Sequence, residues 1–243
     1  MLLEQPASTF QPRTPREDFV TASDRDSAPD FLLWQLADSA FPTGGFAHSG
    51  GLEAAWHHGE LRNLKDLESF LEASLLQVGH GYLPFMTATH RDPATLIELD
   101  GVCDRFILNH VANRASRAQG RSYLASVRRI FGLPDFCTAG HEPPFHHLAP
   151  IFGFVTRSLD ISFDSACNLF LFQHLRSLIA GAVRLGIVGP LEGQTLQHSM
   201  ASRIKELLAR CRNLSISQIT QVSPLLDLWQ GTHDALYSRL FQS

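Results

Sequence analysis

Histidines supply the clearest hint of metal chemistry in this sequence. His141, His146 and His147 fall within seven residues, and neutral imidazole is the commonest protein ligand for transition metals. Cys137 is the only thiol near them, however, and no carboxylate stands at a spacing that completes a tight site. We therefore predict no tightly bound metal. A metal carrier or metal-dependent enzyme that uses these three histidines remains the alternative hypothesis.

A second candidate is the stretch 38–53, which reads DSAFPTGGFAHSGGLE. Its first glycine pair precedes a helical pattern, where free N–H groups can bind an anion, but no lysine follows to complete a nucleotide site. His48 and Ser49 carry the groups of a base and a nucleophile, yet adjacent side chains on a helix diverge. Helix capping and the helix dipole explain Asp38 and Glu53. Without an evident catalytic set, the sequence favours a binding or scaffolding role.

The same stretch joins two helical patterns. Asp30 can cap a first helix over residues 31–37, and helical spacing resumes at Ala47. A proline and two glycines break the pattern between them, because proline biases its predecessor away from helical angles and glycine accepts angles that other residues avoid. One interpretation is a tight turn whose Phe46 and His48 plug into the core. The other is that these two side chains bind a partner.

Helical spacing continues through the rest of the chain, and the sequence shows no succession of alternating strand patterns. Asn63, Asp92 and Ser162 stand where N-caps are expected. The predicted helices cover residues 31–39, 47–58, 63–89 with a kink at Pro84, 92–107, 113–131, 162–185, 194–211 and 223–229, with Pro190 ending the segment that follows residue 185. We predict an all-α fold, a single compact multi-helix domain over residues 30–243, preceded by a disordered tail over residues 1–29.

One of these predicted helices is unusually basic. The segment from residue 113 to residue 131 contains Arg114, Arg117, Arg121, Arg128 and Arg129. Charge runs on a helix are usually solvated faces. The functional alternative is a docking face for an acidic partner.

Composition narrows the classes of function. The formal net charge of −4 over 243 residues leaves no basic footprint, so we predict no DNA or RNA partner. The four cysteines lie far apart without a CxxC pair, which is typical of buried thiols in a reducing compartment. No apolar run is long enough to span a bilayer, and the first residues fit neither a signal peptide nor a transit peptide. We expect a cytoplasmic protein with no membrane partner.

Several motifs together resemble one known family, urease accessory protein F, and in part its plant-type members. The strings that carry the resemblance are DSAFPTGGFAHS (38–49), GLE (51–53), HLAPIFG (147–153), the run from 184 to 194, SPLLD (223–227) and SRLFQS (238–243). The similarity covers residues 30–243 in consistent order. Gly50 departs from the pattern, since many members carry a bulkier residue there.

The resemblance implies an all-α, non-enzymatic homodimer that has no cofactor of its own. It further implies that the chain binds the D/H-type urease accessory protein and, through that complex, recruits the G-type GTPase that carries nickel. The assembly would deliver nickel to apo-urease. The metal would pass through the complex without binding tightly to this chain.

The resemblance also assigns partner-binding positions, with no catalytic and no metal-binding residue among them. Phe46, with His48 beside it, matches an aromatic-xaa-His motif near the partner surface, and Phe172 matches an aromatic position near the GTPase-facing surface. Arg184 matches a basic position tied to control of the GTPase. Gln194 matches a polar position associated with complex assembly.

The C-terminal segment supplies the remaining assigned positions. His233, Tyr237 and Arg239 belong to a stretch that the resemblance expects to order when the D/H-type partner binds. Structural alternatives stand beside these assignments, since Phe46 and Phe172 could be core residues and Arg239 could pair with a helix C-terminus.

Overall fold

The computed structural model describes residues 28–133 and 142–243, which form helices joined by short turns, with no β-strand among them. The α-helices are α1 (Ala28–Ala37), α2 (Leu52–His57), α3 (Leu64–Gln77), α4 (Leu83–Arg91), α5 (Leu96–Phe106), α6 (His110–Phe131), α7 (Leu148–Ser158), α8 (Phe163–Arg184), α9 (Pro190–Ser199), α10 (Ala201–Cys211) and α11 (Pro224–Thr232). The all-α prediction is confirmed. His141, Cys137 and the part of the predicted tail before Ala28 lie outside the described residues.

Local capping chemistry places several helix starts where the sequence predicts them. The side chain of Asn63 accepts a hydrogen bond from the backbone N–H of residue 66, and that of Ser162 accepts one from residue 165. Asp92 caps a short 3-10 turn before α5. The start of α6 differs from the predicted residue 113, because Asn109 caps it by accepting two backbone N–H groups. Each cap satisfies donors that have no partner within the helix.

The junction between α3 and α4 is a π-helical turn over Val78–Tyr82. A Cβ on Gly79 would lie 2.7 Å from a methyl carbon of Leu207, so glycine lets α10 approach the turn closely. Pro84 lies in the first turn of α4, where a missing backbone N–H breaks no hydrogen bond. The helix predicted over residues 63–89 is thus divided into α3 and α4 by a π-helical turn that ends before Pro84.

A single cluster of buried side chains runs from Leu36 in α1 to Leu226 in α11, as expected for one compact domain. At its centre α4 and α7 pack so closely that a Cβ on Gly153 would lie 2.0 Å from the carbonyl oxygen of Met86. The ring of Tyr123 in α6 stacks on that of Phe152 in α7, with centroids 5.3 Å apart. Within the described ranges, no helix has both the length and the apolarity to cross a lipid bilayer.

Two predicted helix starts near the turn are wrong. Helix α1 begins at Ala28, so Asp30 lies inside its first turn and not at the N-cap position. After the turn, α-helix begins at Leu52 and not at Ala47. Gly50 and Gly51 have φ angles of 60° and 89°, and a right-handed helix cannot continue through such left-handed positions.

The predicted helix over residues 194–211 is also wrong, because two helices cover this region. α9 and α10 meet at Met200, a buried residue with ψ of −10°. Pro190 starts α9 and does not end the preceding segment. Proline suits the first position of a helix because the N–H that it lacks would have no partner there.

Candidate functional site

The turn between α1 and α2 is anchored in the core by Phe41, not by the aromatic residue that the sequence pattern suggests. Phe41 is buried, and its ring lies 6.1 Å from that of Tyr123 and 6.2 Å from that of Phe131. Phe46 is instead 58% exposed, and His48 is half-buried. Of the two interpretations of Phe46, the one in which it plugs into the core is therefore wrong.

Side chains of helix α6 bind the backbone of the first part of the turn. The hydroxyls of Ser122 and Ser126 both donate to the carbonyl oxygen of Pro42, at 3.1 and 2.9 Å. The next close approach is at Gly44, where φ is 73° and a Cβ would lie 3.3 Å from the side chain of Ser122. Glycine is required at this position for its conformation as well as for the space.

Helix α8 holds the rest of the turn with a row of polar side chains on one face. The second and third of these residues follow the first by three and four positions, and the fourth follows the third by seven. They donate to backbone carbonyl oxygens at the C-terminal end of α1 and in the turn. The pairs are Gln173 with Leu36 (2.7 Å), Arg176 with Ala37, Ser177 with Gly45 (3.3 Å) and Arg184 with Phe46 (2.6 Å).

Arg184 also joins the turn to the C-terminal segment. Its guanidinium carbon lies 4.8 Å from the ring centroid of Phe46 and 4.4 Å from that of Phe241. Phe241 is buried, whereas Arg184 is exposed. A guanidinium between two aromatic faces is favoured electrostatically and keeps both rings in place.

The C-terminal segment runs back along the turn and pairs with its backbone. The N–H of Gln242 donates to the carbonyl of Ala47 at 2.8 Å, and the N–H of Ser49 donates to the carbonyl of Ser243 at 2.5 Å. His48 Nδ1 hydrogen-bonds the hydroxyl of Ser243. The segment that the resemblance expects to order on partner binding is thus already positioned here by contacts within the chain.

Glu53 also holds the C-terminal segment. It lies in the first turn of α2, as the helix-dipole interpretation expects, but the capping role that the sequence suggests is wrong. Its carboxylate is buried and does not cap a helix. It accepts hydrogen bonds from the backbone N–H groups of Leu240 (2.5 Å) and Phe241 (3.2 Å) and from Nε2 of His233 (2.9 Å). The exposed fractions of Glu53 and His233 are 1% and 0%. A partner therefore cannot reach His233 while this segment is docked.

Asp234 links the segment to α6. Its carboxylate lies 2.8 Å from a guanidinium nitrogen of Arg114, 3.3 Å from one of Arg239 and 3.3 Å from Nε2 of His110. The hydrogen bond from Arg114 is the main cause that lowers the pKa of Asp234. Of the remaining C-terminal residues, Tyr237 and Leu240 point outward.

We use the name turn–tail surface for the exposed group that results: Phe46, Arg184, Tyr237, Arg239 and Leu240. Four predicted partner residues lie outside it. His48 is half-buried beside Ser243, and His233 is buried against Glu53. Phe172 is half-buried on α8, with the guanidinium carbon of Arg176 at 5.9 Å from its ring centroid. Gln194 is exposed on α9.

Behind the turn lies a cavity of about 360 Å³, with His48 and His174 among its lining residues. His174 Nε2 hydrogen-bonds the hydroxyl of Ser74 at 2.8 Å. Burial lowers the pKa of His174 to about 4. Burial, helped by the charges of Arg114 and His233, lowers the pKa of His48 to about 4 as well. Both imidazoles are therefore neutral at physiological pH.

The histidine cluster of the alternative hypothesis has other roles in the part that the structure describes. His147 is buried, with its two ring nitrogens 3.1 Å from the Ser116 hydroxyl and 3.1 Å from the Asp104 carboxylate. Over residues 28–133 and 142–243, no three histidine, cysteine or acidic side chains converge on a metal-sized site. The described cysteines Cys103, Cys167 and Cys211 are buried and free.

Comparisons with known proteins agree on one family. The family model described as UreF matches residues 61–201. The protein named urease accessory protein F in Oryza sativa subsp. indica is 35% identical over 93% of this chain and 90% of its own length. That of Arabidopsis thaliana is 35% identical over 94% of this chain and 98% of its own length. An uncharacterised UreF-like urease accessory protein of Schizosaccharomyces pombe is 30% identical over 86% and 94%. This chain belongs to the urease accessory protein F (UreF) family.

Proposed function

We propose that this chain is a non-enzymatic adaptor for urease maturation in the cytoplasm. In this role it bridges the D/H-type urease accessory protein and the G-type GTPase that carries nickel, and the assembly inserts nickel into apo-urease. Family membership supports the accessory role in general. The observation that carries the adaptor function is the turn–tail surface, an exposed group of aromatic, aliphatic and arginine side chains on a fixed backbone.

The composition of this surface suits protein binding. Tyr237 is fully exposed, and Phe46 and Leu240 are 58% and 51% exposed. Tyrosine and arginine are enriched among the residues that dominate binding energy. Because intramolecular hydrogen bonds already hold the backbone of both segments, docking has less conformational entropy to overcome. We assign Phe46 and the C-terminal residues of this surface to the D/H-type partner, and Arg184 to control of the GTPase.

We give three of the predicted partner residues outside the turn–tail surface other parts in the adaptor role. Phe172 and Gln194, on α8 and α9, are assigned to recruitment of the GTPase and to complex assembly. His233 acts indirectly in this proposal, by holding the C-terminal segment. Nickel is cargo of the assembly, and the chain needs no cofactor of its own.

We also propose that the adaptor is a homodimer. Leu191, Leu225 and Leu228 are 84%, 59% and 64% exposed and offer apolar surface that a second copy can cover. Light scattering of the purified chain should then give twice the mass of the 27.0 kDa chain. A mass of one chain at micromolar concentration would contradict the dimer.

The central experiment is a pull-down of the D/H-type protein with this chain, followed by urease activation in a host that lacks the gene. The double variant Tyr237→Ala/Leu240→Ala should lower capture by about tenfold or more, since it removes outward anchors. Its thermal midpoint should stay within about 2 °C of the parent, because both side chains face solvent. Ile97→Ala, which truncates an exposed isoleucine on α5, should capture normally. Normal ureolysis without the gene would refute the proposed function.

A further inference from the structure

The buried carboxylate of Glu53 has a set of donors drawn from a distant part of the chain. They come from His233, Leu240 and Phe241, which are 180 to 188 residues away along the sequence. Burying an ionised carboxylate is costly unless hydrogen bonds replace its water. Because the C-terminal segment supplies these bonds, the burial of Glu53 depends on that segment being docked.

Contacts that do not involve Glu53 hold the other side of the C-terminal segment in place. Gln242 N–H donates to Ala47, and the Arg184 guanidinium lies over the ring of Phe241. A Cβ on Gly181 would lie 3.6 Å from that ring, so α8 forms the floor beneath it. The C-terminal segment therefore lies between Glu53 on α2 and residues Gly181 and Arg184 of α8.

We infer that Glu53 is a positioning residue, whose buried carboxylate fixes the C-terminal segment against the turn and thereby makes the two halves of the turn–tail surface a single rigid unit. Glu53 cannot touch a partner itself, because only 1% of it is exposed. Its effect is exerted through the backbone of Leu240 and Phe241. Without it, the outward side chains of Tyr237 and Leu240 lose their fixed relation to Phe46.

Hydrogen exchange of the full-length chain tests the anchor directly. Glu53→Gln keeps the volume of the side chain but replaces one acceptor oxygen with a donor, which opposes the donors of the segment. The amides of Leu240 and Phe241 should exchange about tenfold faster or more in this variant, while the amides of α4 and α7 stay within about twofold of the parent. Asp38→Asn changes the other carboxylate of the same motif, which is exposed, and should leave residues 240 and 241 protected.

Each outcome decides the matter. Unchanged protection at residues 240 and 241 in Glu53→Gln would overturn the anchor. Faster exchange throughout α4 and α7 would overturn it too, because Glu53 would then support the whole core and not the segment. Local loss confined to the C-terminal segment supports it, and Glu53→Ala should reproduce that local loss.

If Glu53 anchors the segment, its loss should also weaken capture of the D/H-type protein, an expectation that rests on the proposed function. The anchoring role of Glu53 and the proposed function can each fail without the other. If Glu53→Gln releases the segment and also lowers capture of the D/H-type protein, both are supported. If the segment is released and capture is normal, the anchor stands and the assignment of the C-terminal residues to that partner is wrong. If the exchange rates do not change, the anchor is wrong whatever the pull-down gives.

Discussion

Arg184 owes its place to the shape of its side chain as much as to its charge. The planar guanidinium lies over Phe46 and Phe241 and donates to the Phe46 carbonyl at 2.6 Å. Arg184→Lys keeps the charge but loses the stacking and the directed donor. We expect the free energy of unfolding to fall by about 1 kcal/mol, measured from the urea midpoint at constant slope.

The same substitution at an arginine that contacts no aromatic ring among the described residues serves as the control. It separates the effect of the guanidinium shape from that of the positive charge. Arg203→Lys on α10 alters an exposed arginine that pairs with Glu72 at 2.9 Å. Exposed ion pairs contribute little, so the loss there should stay below about 0.5 kcal/mol. Equal losses in the two variants would show that stacking between the rings adds nothing at Arg184.

His174 should make the stability of the protein depend on pH. Burial lowers its pKa in the folded state to about 4 from the ordinary value of 6.5. Between these values the unfolded chain binds a proton that the folded chain does not, so stability is complete above pH 6.5 and is lost as the pH falls towards 4. From pH 7.5 to pH 5.0 the contribution of His174 is a loss of about 2 kcal/mol.

The variant His174→Gln tests this pH dependence of stability. His174→Gln can still hydrogen-bond Ser74 but takes up no proton, so the difference between the urea midpoints at pH 7.5 and 5.0 should shrink. Half-buried His48 adds a smaller loss over the same interval, because solvent screens it. His198→Gln, an exposed change on α9, should leave the difference as it is. An unaltered difference in His174→Gln would mean that the pKa of His174 is the same in the folded and the unfolded chain.

At the scale of elements, the parts that the sequence predicts correctly are those that local chemistry decides. Asn63 and Ser162 cap their helices with their own side chains, and apolar spacing identifies the long helix α8. The errors arise where the outcome depends on neighbours. Glu53 near a helix start suits the helix dipole, and only the path of residues 233–241 shows that its carboxylate meets different donors.

The turn illustrates the same limit. Its glycines and proline predict a break, but they do not reveal that Phe41 enters the core and Phe46 faces solvent. That choice depends on Tyr123 and Phe131 in α6, which follow Phe41 by 82 and 90 residues (123 − 41 and 131 − 41). The polar row on α8 had a sequence signal, since Arg176 and Arg184 interrupt an apolar run. Its carbonyl partners in the turn could not be inferred from that pattern.

The close contact between α4 and α7 leads to a prediction about packing. In Gly153→Ala the new methyl group would lie 2.0 Å from the Met86 carbonyl oxygen and 2.3 Å from the Thr89 hydroxyl. The helices must separate to admit it, so we expect a loss of about 3 kcal/mol or more in the free energy of unfolding. The measurement is the thermal midpoint by circular dichroism.

Gly101→Ala is the control, because Gly101 also lies inside an α-helix. Gly101 lies inside α5, and its added Cβ would meet only the flexible end of Arg105, at 3.6 Å. Alanine is favoured over glycine inside a helix, so this variant should gain up to about 1 kcal/mol. Comparable losses in both variants would indicate that helix geometry, and not the α4–α7 contact, governs the result.

At the scale of the whole molecule, the basic helix α6 is largely used within the chain. Arg114 pairs with Asp234, Arg128 pairs with Glu142, and Arg117 lies over the ring of Phe145. Arg121 and Arg129 are exposed. Neither sequence interpretation of this helix, a solvated face or a docking face, anticipated that most of its arginines join it to the loop before α7 and to the C-terminal segment.

The last prediction concerns cooperativity. Contacts between distant segments link the ends of the chain to its centre: Glu53 and Arg184 hold the C-terminal residues, and Trp229 in α11 stacks on Phe70 in α3 at 5.8 Å. A chain of 243 residues is long enough for two domains, yet one core cluster runs from α1 to α11. Urea unfolding should therefore give a single transition, with coincident midpoints for tryptophan fluorescence and for circular dichroism at about 222 nm. A fluorescence midpoint well below the dichroism midpoint would mean that one of the helices that carry Trp34, Trp56 and Trp229, namely α1, α2 or α11, leaves the domain first. The turn–tail surface would then lack the rigid support on which its proposed role depends.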